Sequence, residues 1–230
     1  MRSILIKGLL NLFYPRLCTY CGKPLLDSEI GLCIDCLYKL PRTGNYKLID
    51  NRPSRLMAGR LPFDRIATFA AFTDGGILQS VVHKLKYDGK KEYGVFLGRL
   101  FGEDLKGSDF VSEIDCIVPV PLHAKKIKSR GYNQSEVIAS GMSEILSVPV
   151  STGVLVRKIH NPTQTKLSKT ERWMNVRDIF ELDDEKAYEN KHILLVDDIL
   201  TTGATIEACG IALSKCKNIT ISIATLGEVY

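Results

Sequence analysis

Two adjacent carboxylates, Asp197 and Asp198, are followed after Ile199-Leu200 by Thr201-Thr202-Gly203-Ala204-Thr205. Adjacent acids repel a phosphate. Their partner is therefore either the vicinal hydroxyls of a sugar, which donate hydrogen bonds to carboxylate oxygens, or a divalent cation. The threonine-rich segment has the opposite preference. It leads into a helical pattern from Ile206 to Lys215, and the free backbone N–H groups of a helix N-terminus, with hydroxyls beside them, form an anion site. Gly203 lets the backbone approach a phosphate closely. Acids at one end and a phosphate cradle at the other describe a pocket for a sugar 5-phosphate. A plain strand-to-helix turn with chance threonines is the competing reading.

Four of the seven cysteines form a second constellation, Cys18-Thr-Tyr-Cys21 and Cys33-Ile-Asp-Cys36, with eleven residues between the pairs. Each C-x-x-C can bend back so that both sulfurs point inward, and Gly22 supplies the permissive dihedral of such a knuckle. Four thiolates satisfy tetrahedral zinc and leave no position for water, so the metal would be structural. The segment from about Leu17 to Leu40 is too small to hold a core alone, and zinc would supply folding energy of order ~10 kcal/mol or more. A redox dithiol and a disulfide pair are the alternatives. Cys116, Cys209 and Cys216 read as core or surface thiols.

A third group joins Pro119-Val120-Pro121-Leu122-His123 to Lys125, Lys126, Lys128, Arg130 and Gly131-Tyr132-Asn133-Gln134. Two prolines in three residues fix where the backbone turns. A rigid loop beside four cations suits a pyrophosphate. A further basic cluster, Lys84, Lys86, Lys90 and Lys91, reads by default as a solvated helix end, with a phosphate- or DNA-facing patch as the alternative.

The elements that must carry these groups follow from periodicity. Ile193 to Val196 suits a strand buried on both faces, central in a parallel sheet, with the acids at its carboxyl end. Ile66–Phe72, Ile114–Val118, Val154–Arg157, Asp178–Leu182 and Ile219–Leu226 are further strand candidates. Helices are expected over Ile77–Lys86, Tyr93–Leu105 and from Gln134 to about Leu146. Ile4, Leu5, Leu9, Leu10, Leu12 and Phe13 outline a short N-terminal helix docked on the body, or else a membrane-surface helix. The polar stretch Lys158–Val176 holds Thr163, Gln164, Arg172, Trp173 and Asn175, and a loop of that length is usually functional or disordered. Three units are expected: residues 1–42 as helix plus knuckle, 43–61 as a linker, and 62–230 as the α/β domain.

At 230 residues, 45% apolar and 25% charged, the chain can bury a sizeable core. A net charge of +5 is compatible with an anionic substrate or nucleic acid and establishes neither. No apolar run approaches the ~20 residues of a membrane span. The apolar N-terminus is interrupted by Lys7 and closed by Pro15 with no small-residue cleavage site after it, so a cytoplasmic protein is expected.

The strand, acid pair and Thr-Thr-Gly-x-Thr loop together resemble the phosphoribosyl pyrophosphate (PRPP) signature of type I phosphoribosyltransferases. Val-Pro-Val-Pro-Leu-His at 118–123, Arg-Gly-Tyr-Asn-Gln at 130–134 and the four-cysteine knuckle narrow the resemblance to the ComF family of competence-associated proteins. The resemblance implies a parallel α/β sheet of type I phosphoribosyltransferase kind, preceded by a small zinc-ribbon-like module. It implies that Asp197 and Asp198 hold ribose hydroxyls, that Thr201, Thr202, Gly203, Ala204 and Thr205 hold the 5-phosphate, and that Pro119, Val120 and Pro121 receive pyrophosphate. Arg130, Gln164 and Arg172 would assist catalysis, the last two from a mobile loop that closes over Mg-bound PRPP. Three outcomes are compatible with it: a phosphoribosyltransferase of unread acceptor, a PRPP-responsive protein without turnover, and a single-stranded-DNA-handling factor that works with DNA-uptake proteins. Four residues follow Leu226, so a hood over the acceptor is expected from the N-terminal half.

Overall fold

Alternation in the longest apolar segments sets the architecture. Along β5 (His192–Leu200), Ile193 and Leu195 face one side while Leu194 and Val196 face the other, all essentially buried. A strand apolar on both faces needs cover on both. The computed structural model, which describes residues 14–157 and 179–229, provides it as two helical layers around one sheet. The sheet has the order β1 (Ile66–Phe72), β6 (Thr220–Val229), β5 and β2 (Cys116–Pro119), and all three pairings are parallel.

On one face lie α3 (Ile77–Tyr87), α4 (Lys91–Leu105) and α6 (Gln134–Leu146), which pack Val81, Leu85, Leu97, Phe101, Ile138 and Met142 on Ala67, Phe69, Ile117 and Leu194. α4 and α6 approach so closely that a Cβ on Gly98 would lie 2.2 Å from the carbonyl oxygen of Ile138. Gly94, Gly98 and Gly102 form an i, i+4, i+8 stripe that permits this contact. The other face carries α7 (Ala204–Leu213) with Ile206, Cys209 and Leu213 on Ile193, Leu195 and Ile223.

The knuckle is not a separate body. Cys18, Leu32, Cys33, Cys36 and Leu40 belong to the same buried cluster as Phe69 and Leu97, with α1 (Ile34–Tyr38) starting at the second cysteine pair. Residues 43–61, expected to be a linker, are packed. They carry a 3-10 turn (Asn45–Lys47) and α2 (Arg52–Met57). Arg42 bridges to Ala70 on the free edge of β1, and the Thr43 N–H donates to the Phe69 carbonyl at 3.0 Å. Asn45 exchanges hydrogen bonds with Thr68, its Nδ2 to the hydroxyl at 2.8 Å and the Thr68 N–H to its Oδ1 at 2.9 Å. Asn51 donates to the Ile66 carbonyl at 2.8 Å while capping α2 through the Ser54 N–H. Polar composition misled here because these amides satisfy buried backbone groups rather than water.

The second correction concerns Val154–Arg157 and Asp178–Leu182. As β3 (Leu155–Arg157) and β4 (Phe180–Leu182) they pair antiparallel with each other, off the main sheet, so the polar segment between them does not join two of its strands. That segment, with Thr163, Gln164, Arg172, Trp173 and Asn175, and the expected helix before Tyr14 lie outside the described residues. The third is α5 (Ala124–Arg130), where a loop was expected. His123 caps it by accepting from the Lys125 N–H at 3.1 Å, and Gly131 ends it at φ +83°. Among the described residues no helix is long and apolar enough to cross a membrane.

Candidate functional site

β2 ends opposite Val196, with Pro119 as its last paired residue, and the Val120 N–H still reaches the Val196 carbonyl at 2.9 Å. β5 continues to Leu200 along β6. Asp197 and Asp198 thus stand where β5 has lost its β2 neighbour. The chain leaves β2 toward one face, through α6, and leaves β5 toward the other, through α7. A crevice between strands whose connections diverge in this way is where open α/β sheets take ligands.

Both acids are buried, at 9% and 6% exposure, and their partners are different. Oδ1 of Asp197 accepts from the Ser135 hydroxyl at 3.0 Å and from the Asp198 N–H at 2.9 Å. Burial, reinforced by the charge of Asp198, pushes the Asp197 carboxyl up to about 7. Asp198 meets the Lys86 ammonium, 3.0 Å from Oδ1 and 2.9 Å from Oδ2. Only the Oδ1 contact has hydrogen-bond direction, and Oδ2 has less than 1 Å² exposed and accepts no hydrogen bond among the described residues. An oxygen in that state has acceptor capacity to offer a ligand hydroxyl.

Sequence reasoning missed two residues that hold this corner. Ser135 anchors Asp197, and Asn133 caps α6 through the Ser135 N–H at 3.1 Å while its Nδ2 donates to the Val120 carbonyl at 2.9 Å. One asparagine therefore ties the Pro-Val-Pro turn to the helix that positions the acid. The available signal was Asn133 with Glu136 three residues on, a capping pattern ahead of an apolar helix.

The threonine loop sits at the N-terminus of α7. Thr201, Thr202, Ala204 and Thr205 are exposed and Gly203 is buried in the left-handed region at φ +77°. From beneath, Arg60 donates to the Thr202 carbonyl and pairs with Glu207 at 2.5 Å. A Cβ on Gly203 would come within 2.3 Å of the Met57 sulfur, and Met57 is fully buried. Met57 and Arg60, both from the supposed linker, set the loop's height. Gly203→Ala is expected to lose about 1–2 kcal/mol through the unfavourable dihedral and the displaced thioether. Thermal melting of the variant checks this.

The two basic clusters meet in part. Lys84 pairs with Asp88 at 2.6 Å, Lys90 with Glu92 at 3.8 Å, and Lys91 lies over the Tyr132 ring. Lys86 instead turns inward. With Lys126, Ser129 and Arg130 it lines a cavity of about 630 Å³ between the end of α3 and α5. Arg130 donates to Gln134, which holds the guanidinium at the cavity wall. His123 serves as the α5 cap.

The sulfurs of Cys18, Cys21, Cys33 and Cys36 all lie within 4.8 Å of one another, with Cys21 and Cys33 at 3.6 Å. Zinc–sulfur bonds of ~2.3 Å place the sulfurs of a tetrahedral site ~3.8 Å apart, so the four fit that metal. Burial raises the Cys18 thiol, but N–H groups of Cys21, Cys33 and Tyr20 directed at its sulfur, with the Cys21 thiol, bring it down to about 6. Gly22, at φ +72°, closes the first knuckle.

A family model for the phosphoribosyl transferase domain matches residues 132–228, which include the acid pair and threonine loop and exclude the four-cysteine cluster. The DNA utilization protein YhgH of Salmonella typhi is 30% identical over 207 residues, covering 84% of this chain and 88% of its own. Competence protein F of Haemophilus influenzae is 25% identical, covering 90% and 94%, and competence protein ComFC of Bacillus subtilis is 28% identical, covering 92% and 77%. This chain belongs to the ComF family. Among solved structures, a purine phosphoribosyltransferase of Pyrococcus horikoshii aligns at 19% identity over 60% of this chain and 72% of its own, with a TM-score of 0.38.

In this ComF-family chain Pro119 to Pro121 lie at the carboxyl end of β2, the acid pair and the threonine loop lie at that of β5, and Arg130 lines a cavity with Lys86, which meets Asp198. Gln164 and Arg172 fall outside the described residues. The cysteine cluster adjoins α3, where Thr19 and Ser80 share a hydroxyl contact at 3.3 Å.

Proposed function

We propose that this chain is a cytoplasmic PRPP-binding protein of DNA uptake. The observation that carries the reading is the pairing of a buried, incompletely hydrogen-bonded Asp198 at the carboxyl end of β5 with an exposed threonine loop that follows it at the N-terminus of α7. Ribose hydroxyls would donate to Asp197 and Asp198. The N–H groups and hydroxyls of Thr201 to Thr205 would take the 5-phosphate. Pyrophosphate would lie toward Pro119–Pro121 and Arg130, joined by Gln164 and Arg172. If transfer occurs, an acceptor atom bonds C1 of the ribose as the C1–oxygen bond to pyrophosphate breaks. Charge accumulates on that leaving group, so Arg130 and its neighbours would supply the largest electrostatic stabilisation. Magnesium would accompany PRPP as part of the substrate, held by oxygen donors.

Calorimetric titration with PRPP, with and without magnesium, tests the reading. Wild-type protein is expected to release heat with a Kd in the range of about 1–100 µM, and Asp197→Asn/Asp198→Asn to release none. Unchanged heat in the double variant removes the acids from the ligand. Pyrophosphate release with a panel of nucleobases separates a transferase from a PRPP-responsive protein without turnover.

A second reading is favoured by the names of the relatives, DNA utilization and competence proteins. The exposed lysines Lys125, Lys126 and Lys128 on α5, beside the exposed Tyr87, have the charge and the aromatic face that single strands use. Affinity for an oligonucleotide falling steeply with salt, and falling again in a Lys125→Ala/Lys126→Ala/Lys128→Ala variant, would support it. The knuckle in either case would hold one structural zinc.

A further inference from the structure

Lys86 and Asp198 come from elements 112 residues apart and meet in a setting largely removed from solvent, with side-chain exposures of 24% and 8%. Such a pair is screened far less than surface pairs are. Its geometry is uneven, since the ammonium satisfies Oδ1 by direction and touches Oδ2 by charge alone. That is how a counter-ion sits on a carboxylate, and it is where a divalent cation held by oxygen ligands would otherwise bind. Lys86 lies in the last turn of α3, where the helix dipole favours a cation.

We propose that Lys86 is a built-in counter-cation of the acidic pair, a positioning residue that occupies the metal position beside Asp198 and lets the site accept a ribose phosphate without a metal on those carboxylates. This rests on the ribose-phosphate reading of the site. With Lys86 in place Asp198 is neutralised, and an anionic sugar phosphate approaches without meeting a bare charge. Lys86 also borders the cavity shared with Lys126 and Arg130, so the same ammonium faces both the acid and the basic pocket. Magnesium, when it enters with PRPP, is then tied mainly to the ligand's own phosphates.

The test uses the full, zinc-loaded chain as wild type, Lys86→Met, which keeps length and removes charge, Lys86→Arg, and Lys86→Met/Asp198→Asn, each with its fold checked by circular dichroism. The first arm contains no sugar. Binding of Mn²⁺ alone, followed by electron paramagnetic resonance, is expected to tighten by about ten-fold or more in Lys86→Met, to stay at the wild-type level in Lys86→Arg, and to lose the gain in the double variant. Equal Mn²⁺ affinity in wild type and Lys86→Met overturns the proposal. The second arm titrates ribose 5-phosphate without added metal. Lys86→Met should bind about ten-fold more weakly, and millimolar magnesium should restore it. A loss that magnesium does not restore makes Lys86 a direct or purely structural contact and also overturns the proposal. If the Mn²⁺ arm behaves as expected while ribose 5-phosphate binds no variant, the counter-cation stands and the ribose-phosphate reading falls.

Discussion

Asp197→Asn will stabilise this protein at pH 8 and leave its stability almost unchanged at pH 4. The carboxyl is buried beside a second acid, and that surrounding pushes it up to about 7, against ~3.9 in an unfolded chain. Between these values the native state binds more protons than the unfolded state, so stability falls as pH rises. The contribution is fully present below about pH 4 and is lost as pH passes through about 7. A shift of about three units corresponds to a ceiling near 4 kcal/mol. Asparagine retains an oxygen to accept from the Ser135 hydroxyl and the Asp198 N–H, and it carries no charge. The melting temperature at pH 8 is therefore expected to rise by roughly 5–10 °C. Melts from pH 4 to 8 check this, and parallel wild-type and variant curves would dismiss the buried charge as a stability cost. The same variant should bind PRPP poorly. A buried ionisable pair that costs stability is the usual relation between a functional site and its fold.

Removing the metal from the four-cysteine cluster should have an effect of similar or greater size. The knuckle residues Cys18, Leu32, Cys33, Cys36 and Leu40 share a core with Phe69, Phe101 and Leu97, so releasing them opens the sheet face as well as the module. The four sulfurs are not inert without an ion. Cys18 ionises readily, at about 6, whereas burial and the neighbouring sulfurs push Cys36 far upward. Four thiolates this close need a central positive charge. Elemental analysis is expected to find one zinc per chain. Chelation, or Cys36→Ser, is expected to lower the melting temperature by roughly 10 °C or more, since structural zinc contributes on the order of 10 kcal/mol. Full melting stability in metal-free protein would reject a structural metal.

What could be read from the sequence was local. The strand before Asp197, the turn chemistry of Thr201–Thr205 and the C-x-x-C spacings each lie within a few residues, where periodicity and ligand geometry act directly. The expected strands Ile66–Phe72 and Ile219–Leu226 and the helix from Gln134 to Leu146 reappear to within a few residues for the same reason. Residues 43–61 were misread because Asn45 and Asn51 look solvent-loving until Thr68 and the Ile66 carbonyl are set against them. Short apolar segments such as Leu155–Arg157 carry no mark of which partner they choose. α5 has no apolar stripe, and its existence depends on two caps.

By itself, then, the sequence determined the class of fold, the acid pair, the threonine loop and the cysteine set, because each is written in neighbouring residues. Only the tertiary structure decided that Lys86 faces Asp198, that Ser135 and Asn133 hold the corner, and that Met57 and Arg60 support the loop. Those contacts join residues tens to more than a hundred positions apart. Distance along the chain says nothing of proximity until hydrophobic burial on both faces of the sheet has brought the elements together.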